Sequence, residues 1–531
     1  MLLLLLLLSL FSSSYGYGGS DFLYNSFVSC LQHSTHPSDQ ISATVFARTN
    51  ASYPFVLRAY IRNARFNTSS TPKPLLILTP FRETHVQAAV ICSRHLRVQL
   101  KVRAGGHDYE GISYVSDVPF VLLDLFNLRS IAVDVEDQSA WVQAGATLGE
   151  VYYRIWEKSK VHGFPGGVCP TVGVGGHISG GGYGNMLRKY GLASDQLLDV
   201  HLVDVNGRVL NRESMGEDLF WAMQGGGGGS FGVILSYKLR LVPVPATVTV
   251  FRLERTLERN ATDIVHKWQH VAPTVAHKLF MRMLLQPVVR RGGNNNDTTT
   301  IRASIVTLFL GRSEELVQLL RKDFPELGLT KEHCLEMGWI QSVLWWGNFG
   351  NGTAPEVLLD RNLDSANFLR RKSDYVERPI SKKGLERLWK KMIEIGVTGM
   401  AWNPYGGKMS EIGSSATAFP HRSGNLFKIQ YSVNWEESGE EADKKFDTQI
   451  RELHGFMTPL VSRNPRRAFL NYRDLDIGVN DNGETRYEQG KVYGAKYFHG
   501  NFERLAKVKS AVDPRNFFWN EQSIPPLPYK V

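Results

Sequence analysis

Three side chains stand out from the glycine-rich stretches of this 531-residue chain: His107, Cys169 and Tyr183. His107 follows Arg103-Ala-Gly105-Gly106 and precedes Asp-Tyr109, so an apolar run enters a glycine turn there. Bare N–H groups in such a turn cradle phosphate, and an imidazole beside them is held close to the ligand. An ordinary turn with a surface histidine has the same letters. Cys169 and Tyr183 lie between Gly163 and Gly184, a stretch with ten glycines. Glycine has no Cβ and tolerates positive φ, so such backbone can lie flat against a ligand. The side chains left there, Cys169, His177 and Tyr183, are the ones placed to react. A zinc site from Cys169, His107 and His177 is conceivable, but no C-x2-C or H-x3-H pair accompanies them, and no metal is expected. A third group is Lys428 and Gln430 within 426–434. On a strand, period two puts both on one face and Phe427, Ile429 and Tyr431 on the other. That polar face either lines a pocket or meets water.

The elements that must position these residues follow from the apolar pattern. Segments 74–80, 98–102 and 119–125 predict strands, and 82–97 predicts a helix. Thr147 and Glu150 have capping-box spacing and start a helix that runs to about 158. Asn206-Gly207 between apolar alternations predicts a hairpin over 198–210. The first half therefore alternates α and β to about 245. Beyond 247 the texture changes. Helices over 263–277 and 313–322, with strands over 279–285, 301–310 and 426–435, predict an antiparallel sheet carrying helices. The last sixty residues differ again, and 292–300 reads as a surface insert.

Lys and Arg number 61 against 51 Asp and Glu, a net charge of +10. The basic residues are scattered and no nucleic-acid motif appears, so no nucleic-acid partner is expected. The apolar run Leu2–Leu8 followed by Ser12–Ser14 fits a secretory leader over 1–19. It falls far short of the ~20 residues that span a bilayer. Asn50, Asn67, Asn260, Asn296 and Asn351 each begin an N-x-S/T sequon. These features predict a secreted glycoprotein, extracellular, in the cell wall or vacuolar. One disulfide is expected among the four cysteines. Three pairings are open; Cys30 with Cys92 is preferred because both lie in plausible helices. Cys169 in its glycine loop suits a reactive thiol, and Cys334 is expected as a buried one.

The motifs RAGGHDYEG, GFPGGVCPTVGVGGHISGGGYG and QGGGGGSFG together resemble those of the plant berberine bridge enzyme-like family, flavoproteins of the vanillyl-alcohol-oxidase class. WNPYGGKMSEI, NYRDLDIG and VDPRNFFWNEQSIP match it too, so the resemblance covers essentially the whole mature chain. It implies an α+β fold: a two-lobed FAD-binding domain over 20–245, a substrate domain with an antiparallel sheet and helices over 246–475, and a segment over 476–531 returning to the FAD domain. It implies FAD bonded covalently to both His107 and Cys169. Arg103, Gly105, Gly106, Tyr109, Val172, Gly176, His177, Gly180, Asn520 and Gln522 would bind the cofactor. Tyr183, Lys428, Gln430 and Tyr472 would be catalytic, with Tyr109, Gln430 and Tyr472 against substrate.

The berberine-forming member carries a catalytic glutamate where this chain has Gln430, which argues against that ring closure here. A tyrosine is a poor base, with an ordinary pKa near 10. A nearby ammonium favours phenolate, so Lys428 with Tyr183, and Tyr472 beside them, form the expected base. Val172 resembles the oxygen-admitting gate of family oxidases. The resulting expectation is a monomeric oxidase. It passes hydride from an alcohol or hemiacetal carbon of a cell-wall oligosaccharide to FAD, and electrons on to molecular oxygen, giving hydrogen peroxide. Two alternatives stay open: an oxidase or oxidative cyclase of a phenolic, monolignol, prenylated phenol or alkaloid, and a redox-neutral cyclase that uses the flavin as scaffold.

Overall fold

A computed structural model describes residues 18–36, 39–291, 297–362, 366–480 and 486–528. The apolar run Leu2–Leu8 and Asn296 lie outside them. The first sheet has the order β1-β2-β4-β3, from Val45–Ala47, Leu76–Leu78, Gln99–Arg103 and Phe120–Asp124 numbered in chain order. β2 and β3 both run parallel to β4. Every residue of β2 and β4 is buried, as parallel strands covered on both faces require. The helix Glu83–His95 follows β2, and Cys92 on it forms the disulfide with Cys30 of the helix Gly18–Ser34. That is the expected pairing.

A second sheet has the order β5-β6-β10-β8-β9 (Ile131–Asp134, Ser139–Gln143, Val233–Arg240, Leu197–Val203, Val209–Leu210). A short ladder pairs β7 (His162–Gly163) with β11 (Val242–Pro243). The helix Leu148–Lys158 starts at the expected capping box: Thr147 N donates to Glu150 Oε2 at 2.8 Å, and Glu150 N to Thr147 Oγ1 at 3.4 Å. The hairpin at Asn206-Gly207 forms, but on a longer loop organised by Asp204 Oδ1, which accepts from Asn206 N and Arg208 N.

The third sheet is antiparallel with seven strands, β15-β12-β14-β13-β17-β18-β16. In chain order these are Val248–Thr256, Leu279–Arg290, Thr298–Phe309, Leu335–Met337, Phe368–Val376, Gly399–Pro404 and Phe427–Trp435. One face presents Met281, Met283, Ile305, Trp402, Phe427 and Ile429 to the helices Ala261–Val271, Lys382–Ile395 and Glu440–Phe456. Burying each such side chain contributes about 1.5–3 kcal/mol. The other face turns toward the first two sheets. The helix expected over 263–277 runs Ala261–Val271 and stops before Pro273, which has no N–H to continue the ladder. β13 and β14 are longer than expected and form an extended ribbon.

The C-terminal segment returns to the first sheet. Lys101 on β3 bonds Glu521 at 2.8 Å, and Lys509 donates to Ser230 O at 2.6 Å. No described helix is long and apolar enough to cross a membrane. Cys334, expected buried, is half-exposed; burial and then Glu336, Glu332 and Glu314 push its thiol up to about 11.

Candidate active site

A cavity of 380 Å³ lies where the two N-terminal sheets, the polar face of the seven-stranded sheet and the C-terminal segment meet. Ten glycines line it, interleaved with aliphatic, aromatic and polar side chains. A Cβ on Gly105 would sit 2.3 Å from Gly173 N, so the turn after β3 and the loop before Val174 touch backbone to backbone. Gly106 has φ +66°, and a Cβ there would strike Tyr60 O at 1.7 Å. Gly176 and Gly229 also line the cavity, and a Cβ on either would meet nothing within 4 Å. Their missing side chains keep the cavity wide, which fits a large flat group lying against backbone.

His107 and Cys169 both line this cavity. His107 Nε2 is 2.9 Å from Thr171 Oγ1, and Cys169 is exposed. Gly167, two residues before the thiol, is held on both sides: its N–H donates to His177 Nε2 at 3.2 Å, and its carbonyl accepts from Tyr152 OH at 2.6 Å. Burial, then the Lys428 charge, pulls the His177 pKa down to about 3. The ring is therefore neutral, and acceptance at Nε2 puts its proton on Nδ1. Asn471 Nδ2 donates to His177 O at 2.8 Å, and a Cβ on Gly180 would strike Asn471 Oδ1. Val172 and Asn520 line the cavity as well.

Three tyrosines form one wall. Tyr183 and Tyr472 share a hydrogen bond between their hydroxyls. The Tyr109 and Tyr472 rings are 5.7 Å apart, and Gln430 Nε2 donates to Tyr109 OH at 2.9 Å. The open question about β18 is thus answered: Lys428 and Gln430 face the site. Lys428 is fully buried. Its Nζ lies 3.2 Å from the Tyr183 ring centroid, 3.5 Å from Phe469 and 4.6 Å from Tyr472, without a hydrogen-bond partner.

The electrostatics revise one expectation. Burial raises the Tyr183 pKa, and the first opposing influence is Arg282 rather than Lys428. Burial raises Tyr472 well above its usual value and Tyr109 to about 12. Lys428 itself is pushed well below 10.5, by burial and then by Arg282. Its Nζ sits over ring faces and has no hydrogen-bond partner, so it has no direct path for relaying a proton to the phenols.

Arg282 is the residue that motif reading missed. It lines the cavity, donates from Nε to Asn403 Oδ1 at 2.8 Å and stacks on Trp346 at 5.1 Å. Arg371 on β16 stacks over Tyr109 at 5.6 Å, a second guanidinium at the same wall. A polar residue between Met281 and Met283 in an apolar strand was the available signal for Arg282. Two expected cofactor contacts fall elsewhere. Arg103 is fully buried away from the cavity, bonded to Asp124 at 2.6 Å and to the Val56 and Leu57 carbonyls. Gln522 spends its amide on Asp474 O and Gly478 O and accepts from Tyr497 OH.

A cavity with ten glycines, an imidazole and a thiol in its lining and tyrosines along one wall defines an FAD-linked oxidoreductase of the vanillyl-alcohol-oxidase type. Residues 74–212 match the FAD binding domain family model, and 468–525 match the model for berberine and berberine-like proteins. The chain is 62% identical to berberine bridge enzyme-like 21 of Arabidopsis thaliana, over 97% of this chain and 95% of that protein. Identity to berberine bridge enzyme-like 19 of the same plant is 60%, over 98% and 91%. Among solved structures, the grass pollen allergen Phl p 4, a glucose dehydrogenase, superposes with TM-score 0.89 at 43% identity, covering 94% of this chain and 99% of that one. An isoleucine-to-valine variant of Phl p 4 is a glucose oxidase. The berberine bridge enzyme of Eschscholzia californica superposes with TM-score 0.88 at 36% identity, covering 94% and 99%. The chain belongs to the berberine bridge enzyme-like family.

Proposed function

We propose that the protein is a secreted oxidase of carbohydrate hemiacetals or alcohols, with an oligosaccharide of the plant cell wall as substrate. FAD, when bound, supplies the redox chemistry: it takes two electrons from the substrate carbon and delivers them to dioxygen, which becomes hydrogen peroxide. His107 and Cys169 hold the flavin covalently in this reading, supported by their joint place in the glycine-lined cavity. The hydrogen-bonded pair Tyr183 and Tyr472 carries the proposal. It offers a phenol oxygen to take the substrate hydroxyl proton, with the Arg282 charge favouring phenolate. Gln430 cannot act as a carboxylate base; its amide donates to Tyr109 OH, which leaves Tyr109 to place the substrate. Val172 in the cavity lining supports an oxygen gate.

Carbohydrate is favoured by the glucose-oxidising relatives. The two guanidiniums at the wall, Arg282 and Arg371, suit acidic sugars such as pectin fragments. Export is supported by the disulfide and by the exposed sequons Asn50, Asn67, Asn260 and Asn351. The aromatic wall of Tyr109, Phe469 and Tyr472 also fits a phenolic ring, so monolignols and prenylated phenols are the second reading. A peroxide-coupled screen of the purified protein against both classes tests the choice. Peroxide from saccharides supports the first reading, and peroxide from phenols alone refutes it. A substrate converted without ever bleaching the flavin would replace both with redox-neutral cyclisation.

A further inference from the structure

We propose that Tyr152, which lies outside the cavity lining, positions Cys169 for its bond to the flavin and leaves the His107 bond to other groups; this rests on the two attachments proposed above. The helix Leu148–Lys158 straps down the loop that carries the thiol. Before Cys169, Tyr152 OH on the second helical turn donates to Gly167 O at 2.6 Å. After it, the backbone N–H groups of Gly149 and Leu148 donate to Pro170 O at 2.8 Å and Val172 O at 2.9 Å. Those two N–H groups belong to the first helical turn, whose donors have no acceptor within the helix. The next one, on Glu150, goes to Thr147 Oγ1. Cys169 is thus the crest of an arch with one side-chain foot and two backbone feet. The fit is close: a Cβ on Gly166 would sit 2.6 Å from Tyr152 OH, and one on Gly149 2.9 Å from Pro170 Cβ.

The two anchors hang on different feet. His107 Nε2 is 2.9 Å from Thr171 Oγ1, and Thr171 lies between Pro170 and Val172, which are held by backbone bonds that a change at Tyr152 does not touch. The side of the arch before the thiol depends on the Tyr152 hydroxyl at Gly167 O, together with His177 at the Gly167 N–H. Tyr152 is buried, with its ring edge-on to Trp339 at 5.6 Å. Burial, then the Cys169 charge, raises its pKa well above 10. The hydroxyl therefore stays a donor and takes no proton from the thiol. In the attachment, the thiol sulfur bonds a ring carbon of the flavin. The thiol and that carbon each give up a hydrogen, and dioxygen takes both with the two electrons, becoming hydrogen peroxide. Such a bond needs the sulfur aligned on the carbon, and a misplacement of about 1 Å costs roughly 100-fold in rate.

The test reads the state of the flavin on the Tyr152→Phe variant, which loses the hydroxyl and keeps the ring against Trp339. Samples taken soon after expression, and again during incubation in air, are alkylated under denaturing conditions, digested and weighed by mass spectrometry. The parent should give one flavin-crosslinked pair of peptides containing His107 and Cys169. The variant should give the His107 peptide carrying flavin and Cys169 alkylated, with flavin per chain unchanged, and should close the second bond at least about tenfold more slowly. Gly166→Ala, which crowds the same hydroxyl, should do likewise and decides the matter if the first variant folds poorly. Loss of both attachments together, or a Cys169 bond formed at the parent's rate in both variants, overturns the role of Tyr152. A parent whose Cys169 is fully alkylated refutes double attachment itself, and this inference with it.

Discussion

Replacing Lys428 with methionine isolates what the buried amine does. The two side chains have similar reach, so the three surrounding rings keep their packing. The Nζ lies 3.2 Å over the Tyr183 centroid. That places an ammonium roughly 4 Å from the phenol oxygen, worth about 4 kcal/mol toward phenolate at an effective dielectric near 20. At about 1.4 kcal/mol per pKa unit the ceiling is ~3 units. The amine carries its charge only below its own pKa, which burial and Arg282 hold well under 10.5. Its help is therefore present at low pH and lost as pH rises through that lowered pKa. Lys428→Met should slow flavin bleaching by substrate up to ~1,000-fold below that lowered pKa, with parent and variant converging above it. Anaerobic stopped-flow across pH 5 to 10 reads this directly. Stability should move the other way, because a buried donor without a partner costs about 1–3 kcal/mol, so the variant should melt no lower than the parent. A rate ratio constant with pH, or no loss of rate, would refute the electrostatic role and leave Lys428 as packing.

Val172→Leu should slow reoxidation by dioxygen at least tenfold while sparing reduction by substrate; unchanged reoxidation in stopped-flow removes the gate. His107→Ala and Cys169→Ala should each keep FAD on the acid-precipitated protein, and only the double variant should release it. Complete release from either single variant contradicts two attachments. Glu110 on the loop after β3 is paired with Arg370 at 2.6 Å, yet burial pushes its pKa up to about 7 from an ordinary 4.5. The folded chain thus holds a proton that the unfolded chain releases, so this group's contribution to stability falls as pH rises from about 4.5 to 7. Glu110→Gln should flatten the slope of melting temperature over that window, and a slope equal to the parent's refutes the assignment.

How much of the site was legible depended on strand parity. Lys428 and Gln430 share a face by period two, and that much needed only nine residues of sequence. Which face looks at the cavity required the order β13-β17-β18-β16, set by pairings over more than a hundred residues. Arg282 shows the same limit: its neighbours Met281 and Met283 mark it as turned away from the core, but only the register through Asn403 brings it beside Lys428. The glycine motifs were legible because missing Cβ atoms are themselves the function at Gly105, Gly176 and Gly229. Motif membership failed as a guide where a side chain had another creditor for its hydrogen bonds. Arg103 stands two residues from a glycine of the cavity lining, yet Asp124 on the paired strand β4 and two carbonyls claim its guanidinium. Gln522 follows Asn520 by two, but Asp474 and Gly478 claim its amide while Asn520 lines the cavity. A motif therefore fixes where the backbone passes the ligand, and competition for buried hydrogen bonds decides which of its side chains reach it.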